Sequence, residues 1–120
     1  MFLTQACKIY LFTMPTDMRK GFDGLSTIVR QHQLDLFSGD FFVFISKKGD
    51  RIKILTWDRG GLAIWYKRLE KGTFKRIHSD KQSNIILDTG ALVLLLEGLD
   101  PSQVKKPSLH IISCERLTES

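Results

Sequence analysis

No stretch of this chain is apolar over the roughly 18 residues that a bilayer-spanning helix needs. Ala91–Leu96 is the longest apolar run of its C-terminal half and falls far short. The N-terminus has no basic segment followed by a long apolar one, so no signal peptide is expected. Together these give an expectation of no membrane association and of a cytoplasmic location. Cysteine is scarce: Cys7 and Cys114 stand alone. They can pair, but nothing requires it, and reduced thiols are expected. No CxxC or HxxxH spacing occurs, which argues against a structural zinc site, and neither metal nor cofactor is expected. His32, His78 and His110 have no patterned acidic partners, so they are expected at the surface. Internal repeats and low-complexity tracts are absent as well.

Acidic residues are scarce in one place above all. From Phe41 to Arg76 the chain carries ten Lys and Arg against three acids, a net of +7, while the whole chain is +5. The basic character therefore belongs to one unit. That unit is written as strands. Phe41–Ile45 is short, aromatic and β-branched, which suits a pleated surface buried on at least one side. Lys48-Gly49-Asp50 supplies turn chemistry. Arg51–Trp57 then alternates, with Ile52 and Ile54 on one face and Arg51 and Lys53 on the other. Arg59-Gly60-Gly61 marks a second hairpin, and Leu62–Arg68 returns along it.

The flanks supply the rest of a fold. Lys8–Thr13 reads as a first strand ending before Pro15. Thr16 or Asp17 can cap a helix from about Met18 to His32, where Phe22, Leu25, Ile28 and Val29 recur at helical spacing. Gly21 and Gly24 weaken that helix, and close approach to the sheet is the expected reason. Phe74–Ile77 is expected as a short strand and Ile85–Leu87 as an edge strand. Asp88 or Thr89 caps a second helix running through Leu92, Leu95, Leu96 and Leu99 to the stop at Asp100-Pro101. The expected architecture is a single α+β domain over residues 1–100. It is an antiparallel β-meander with an added N-terminal strand and two helices packed on one face. A weakly anchored tail, 101–120, follows. At 120 residues the chain is one domain by size, able to bury about two-thirds of its unfolded surface.

Catalysis finds little support. Asp17, Asp23, Asp50 and Asp58 are the carboxylates able to form a metal pair, but three of the four sit at turns or helix starts, where Asp is favoured for backbone reasons. No enzyme activity is expected. Gly21-Phe22-Asp23-Gly24 has the GxxG spacing of a backbone clamp, with an Asp inside that repels phosphate. Trp57-Asp58 is a single WD dipeptide without a repeat. A basic sheet with aromatics between its cations suits a polyanion better. The residues expected to contact nucleic acid are Arg19, Lys20, Arg51, Lys53, Lys67, Arg68 and Lys71. Trp57 and Trp65 are the candidate partner anchors, although core burial accounts equally well for a Trp.

Three strings are more specific. They are Thr16–Leu25 (TDMRKGFDGL), Gly49–Asp58 (GDRIKILTWD) and Lys67–Phe74 (KRLEKGTF), in this order and spacing. Together with Leu95–Asp100 they resemble the TnpB (Orf2-like) accessory proteins of the insertion sequence 66 (IS66) family, over about Lys8 to Asp100. The resemblance implies a non-catalytic role in DNA transposition, beside a separate transposase and a second small protein of the same element. It implies nothing of the RNA-guided nucleases that share the name TnpB, which are far longer and carry zinc-ribbon cysteines. One departure stands out. Family members usually end in a strongly basic, Arg- and Trp-rich tail, whereas Leu109–Arg116 here is not basic overall. Two readings follow: the sheet binds DNA, or the domain is an adaptor docking on the transposase without DNA contact.

Overall fold

Alternation within two short strands explains the architecture. The computed structural model describes residues 7–75 and 81–99. Its elements are β1 (Ile9–Phe12), α1 (Phe22–Gln31), β2 (Phe41–Ile45), β3 (Arg51–Asp58), β4 (Gly61–Arg68), β5 (Asn84–Leu87) and α2 (Thr89–Leu96). All five residues of β2 are buried. Phe41, Val43 and Ile45 join Ile9, Leu11, Ile52 and Ile54 in one core cluster, which α2 closes with Ala91, Leu92 and Leu95. Phe42 and Phe44 join Phe12 and Leu55 in a second cluster, which α1 closes with Leu25 and Val29. Successive strand residues point to opposite sides, so the two clusters lie on opposite faces of the sheet.

The α+β class and the meander are as expected; the helix placement is corrected. One helix covers each face. The physical reason is visible in β2: FFVFI has no polar residue to turn toward water, so both of its sides need a cover. Burying Phe41, Phe42 and Phe44 contributes about 1.5–3 kcal/mol each relative to exposure.

The strand order is β4-β3-β2-β1-β5. β2–β3 and β3–β4 are antiparallel hairpin pairs. β1 runs parallel to β2, which no hairpin can connect, so α1 serves as the crossover. β5 pairs antiparallel with β1 and forms the far edge, as expected of Ile85–Leu87. At the β3–β4 turn Arg59 and Gly60 both have positive φ, 49° and 86°, the two-residue loop whose twist matches the flanking strands.

Several boundaries differ from expectation. α1 begins at Phe22, with Gly21 at its N-cap and no side-chain cap. Thr16 is instead held by a parallel bridge to Ser46, and Asp17 accepts the Arg19 backbone N–H at 2.9 Å. A Cβ at Gly24 would meet the Lys20 side chain at 2.9 Å, so the close approach there is to the preceding turn and not to the sheet. Asp88 caps α2 as expected, accepting from the Ala91 N–H at 2.7 Å. That helix ends at Leu96. Of the strand expected over Phe74–Ile77, Phe74 is buried but outside any strand, and Arg76 and Ile77 lie outside the described residues. His32 is half-buried, its ring edge-on to Phe12 at 4.7 Å, and is not the surface residue expected. His78, His110 and the expected tail lie outside the described residues. Cys7 is disulfide-bonded and not a free thiol, so the expectation of reduced cysteines is corrected there.

Candidate functional site

The connection from β1 to α1 lies against the β2–β3 turn because Thr16 bridges Ser46, its N–H donating to the Ile45 carbonyl at 2.9 Å. The turn itself is tightly fixed. Gly49 donates to the Ser46 carbonyl at 2.9 Å, and Ser46 donates to the Arg51 carbonyl at 2.9 Å. Ser46 Oγ donates to Asp50 at 3.2 Å and accepts the Arg51 N–H at 3.1 Å. Gly49 adopts φ +81°, which a side chain would strain. Between these two segments runs an open groove of about 800 Å³. Its walls carry Thr16, Arg19, Ser46, Lys47, Lys48 and Arg51, with Asp17 and Asp50.

Four cations face two carboxylates there, and both carboxylates have local partners. Asp17 holds Arg19 by contacts of 2.7 and 3.1 Å. The Arg19 side chain, and then its backbone N–H, lower the Asp17 pKa from 3.8 to about 2; the carboxylate in turn raises that of Arg19. Asp50 takes the Ser46 hydroxyl. Lys47 and Lys48 are exposed at the turn. Arg51 lies directly opposite Arg68 in the β3–β4 ladder. Residues opposed in that ladder share a face, and Leu55 with Ile64, further along, identifies it as the α1 face. The Nε of Arg51 is shielded from solvent and has no hydrogen-bond partner.

The seven residues expected to bind nucleic acid divide by what holds them. Arg51, Lys53 and Arg68 share the α1 face, and Arg19 and Lys20 lie just before that helix. Lys53 is only 9% exposed. It donates to the carbonyls of Met18 and Lys20 at 2.8 and 2.9 Å, and its ammonium sits 4.8 Å from the Tyr66 ring centre. It fastens the pre-helix turn to the sheet. Lys67 opposes Ile52, which belongs to the α2-side cluster, so it lies on the other face. It donates to the Leu96 carbonyl at 2.9 Å, at the end of α2. Lys71 is exposed beyond the strand. Arg68 meets Glu70 at 3.3 Å, a contact between exposed groups. Trp57 and Trp65 are likewise separated. Trp57 packs edge-on against Phe37 at 4.9 Å. Trp65 is 41% exposed on the α2 side, beside a recess of about 180 Å³ whose walls include Phe41, Ile54 and Leu96.

Sequence reasoning missed Thr16, Ser46, Lys47 and Lys48 as parts of one groove. Lys47 and Lys48 announce a basic turn, but the bridge from Thr16 to Ser46 joins residues 30 apart and leaves no local pattern. Among the described residues no group of three or more His, Cys, Asp or Glu is placed to hold a metal ion.

A family model described as "IS66 Orf2 like protein" matches residues 7–106, from before β1 to beyond α2. The chain belongs to the IS66 Orf2-like family. Membership ties it to the transposition machinery of an insertion sequence. Two relatives from Sinorhizobium fredii (strain NBRC 101917 / NGR234) extend the comparison. "Uncharacterized protein y4jC" is 34% identical over 104 residues, covering 86% of this chain and 88% of its own length. "Uncharacterized protein y4hO" is 31% identical over 108 residues, covering 87% and 93%. No solved structure matches. Among the described residues, no helix is long and apolar enough to cross a membrane.

Proposed function

We propose that this member of the IS66 Orf2-like family is a non-catalytic accessory protein of transposition, acting in the cytoplasm without a cofactor, and that it binds DNA. The contact surface is the groove between the pre-helix turn and the β2–β3 turn, continued over the α1 face by Arg68. The opposition of Arg51 and Arg68 carries this reading. Two like charges directly across a ladder disfavour one another, and Glu70 answers Arg68 alone, through an exposed contact of 3.3 Å, so a bound anion bridging both guanidinium groups would relieve the pair. Planar guanidinium groups suit phosphate oxygens, and Lys47, Lys48, Arg19 and Lys20 extend the positive field around them. Lys71 adds a peripheral charge. Lys53 and Lys67 contribute mainly by holding the scaffold, since their ammonium groups already serve backbone carbonyls.

Fluorescence anisotropy with a short labelled duplex tests the reading. Wild-type protein binds in moderate salt, and an Arg51→Gln, Arg68→Gln double variant that keeps its fold loses most of that affinity. Undiminished binding by the double variant would reject the site. A second reading has its own observation: the exposure of Trp65 beside an apolar recess favours docking on the transposase or on the element's second small protein. Co-purification of the three proteins with nuclease present tests it, and failure of this chain to associate counts against it.

A further inference from the structure

β4 ends the sheet, and among the described residues nothing pairs with its outer edge. The hairpin determines which backbone groups lie free there. Asp58 and Gly61 flank the two-residue loop as partners, and the Leu69 N–H donates inward to the Asp50 carbonyl at 2.8 Å. Odd-numbered residues of β4 therefore turn their backbone groups toward β3. The N–H and C=O groups of Leu62, Ile64, Tyr66 and Arg68 point outward.

Sheet edges are ordinarily blunted by charge, proline, a bulge or brevity. β5, at the other end, has only four residues. β4 has eight. Its register runs unbroken from Gly61 to Arg68, and Leu62–Tyr66 reads LAIWY, without charge or proline. Trp65 and Tyr66 are 41% and 50% exposed. An edge of this kind is a template for another strand.

We propose that β4 pairs antiparallel with β4 of a second copy of this chain, across a two-fold axis at Trp65. The strand is self-complementary in that register. Ile64 faces Tyr66 of the second copy and Leu62 faces its Arg68, so every outward backbone group meets another. Trp65 faces its own counterpart. The charges also permit it. Lys67 and Arg68 stand at one end of the strand, so the two Arg68 residues lie about 20 Å apart along the ladder, beyond the screening length of physiological salt. A charged partner strand finds no complement in the five central residues. The axis is perpendicular to the sheet because residues of the same face meet. Both α1 faces, each with its Arg51–Arg68 pair, then look to one side of a continuous ten-strand sheet. This inference does not depend on the DNA-binding reading.

Sedimentation velocity on the full chain, over a wide concentration range, tests it. The wild type sediments as a dimer. Trp65→Glu and Trp65→Lys each become monomers with unchanged circular dichroism, because like charges then meet on the axis. An equimolar mixture of the two recovers the dimer, because Glu then faces Lys. A monomeric wild type, dimers that survive both substitutions, or a mixture that stays monomeric overturns the proposal. Should a variant fail to fold, hydrogen exchange of the wild type decides. The Ile64 and Tyr66 amides gain protection as concentration rises, and exchange that stays fast at every concentration overturns the proposal.

Discussion

Arg51 and Arg68 stand directly opposite each other on the α1 side of the sheet, and the Nε of Arg51 is shielded without a partner. Neither feature helps the isolated fold. A buried donor left unpaired costs about 1–3 kcal/mol, and like charges across a ladder add to that. Groups arranged at the expense of stability, at the rim of a basic groove, support the proposed anion-binding surface.

Stability and binding should therefore move in opposite directions at Arg68. Arg68→Gln removes the repulsion and loses only an exposed contact with Glu70, worth little. Thermal unfolding should show stability unchanged or raised by up to about 1 kcal/mol, while duplex affinity falls. A clear loss of stability would mean that Arg68 serves the scaffold.

Lys53 should show the reverse. Lys53→Met leaves the Met18 and Lys20 carbonyls without their donor at a position 9% exposed. Hydrogen bonds to a charged group contribute about 1.5–3 kcal/mol each, part of which water can replace. A loss of about 2–3 kcal/mol in chemical denaturation is expected. Duplex affinity, measured where the variant is fully folded, should change less than for Arg68→Gln.

Each end of α2 offers a separate check. Asp88→Ala removes the N-cap acceptor of Ala91 and should cost about 1 kcal/mol, with Asp88→Asn recovering most of it. Lys67→Met removes the charged donor to Leu96 and should cost about 1.5 kcal/mol, the low end for a charged hydrogen bond because Lys67 is only half-buried. Urea unfolding of the three variants reads both effects.

The Asp17–Arg19 pair sets a pH dependence at the acidic end. The folded pKa of Asp17 is depressed, from 3.8 to about 2. Its contribution is thus fully present above the unfolded value and fades as pH falls from 3.8 toward 2. An NMR titration of the Asp17 carboxyl should give a midpoint near 2, shifting up toward 3.8 in Arg19→Gln. A wild-type midpoint already at the ordinary value would show that the pair does not persist in solution.

The hairpins were legible because they are local. Lys48-Gly49-Asp50 and Arg59-Gly60 carry their turn geometry in the residues themselves, and Asp88 announces its helix. Strand order was not legible. Nothing within Ile9–Phe12 states that it lies between β2 and β5, since that depends on which partner saves most burial. The two-sided cover was readable in retrospect from FFVFI, which offers water no polar side. The cations were misleading for a related reason. Alternation correctly separates Lys53 from Ile52 and Ile54, but no spacing shows that the Met18 and Lys20 carbonyls wait beneath it, or that Lys67 reaches the end of a helix almost thirty residues later.

The salt dependence of duplex binding is the decisive measurement for the proposed DNA contact. The slope of log affinity against log salt falls by about 0.9 for each phosphate contact removed. A steep slope is expected for the wild type and one shallower by about 2 for Arg51→Gln, Arg68→Gln, with Lys67→Met matching the wild type. A flat wild-type response, or one slope shared by the wild type and the double variant, would contradict that contact.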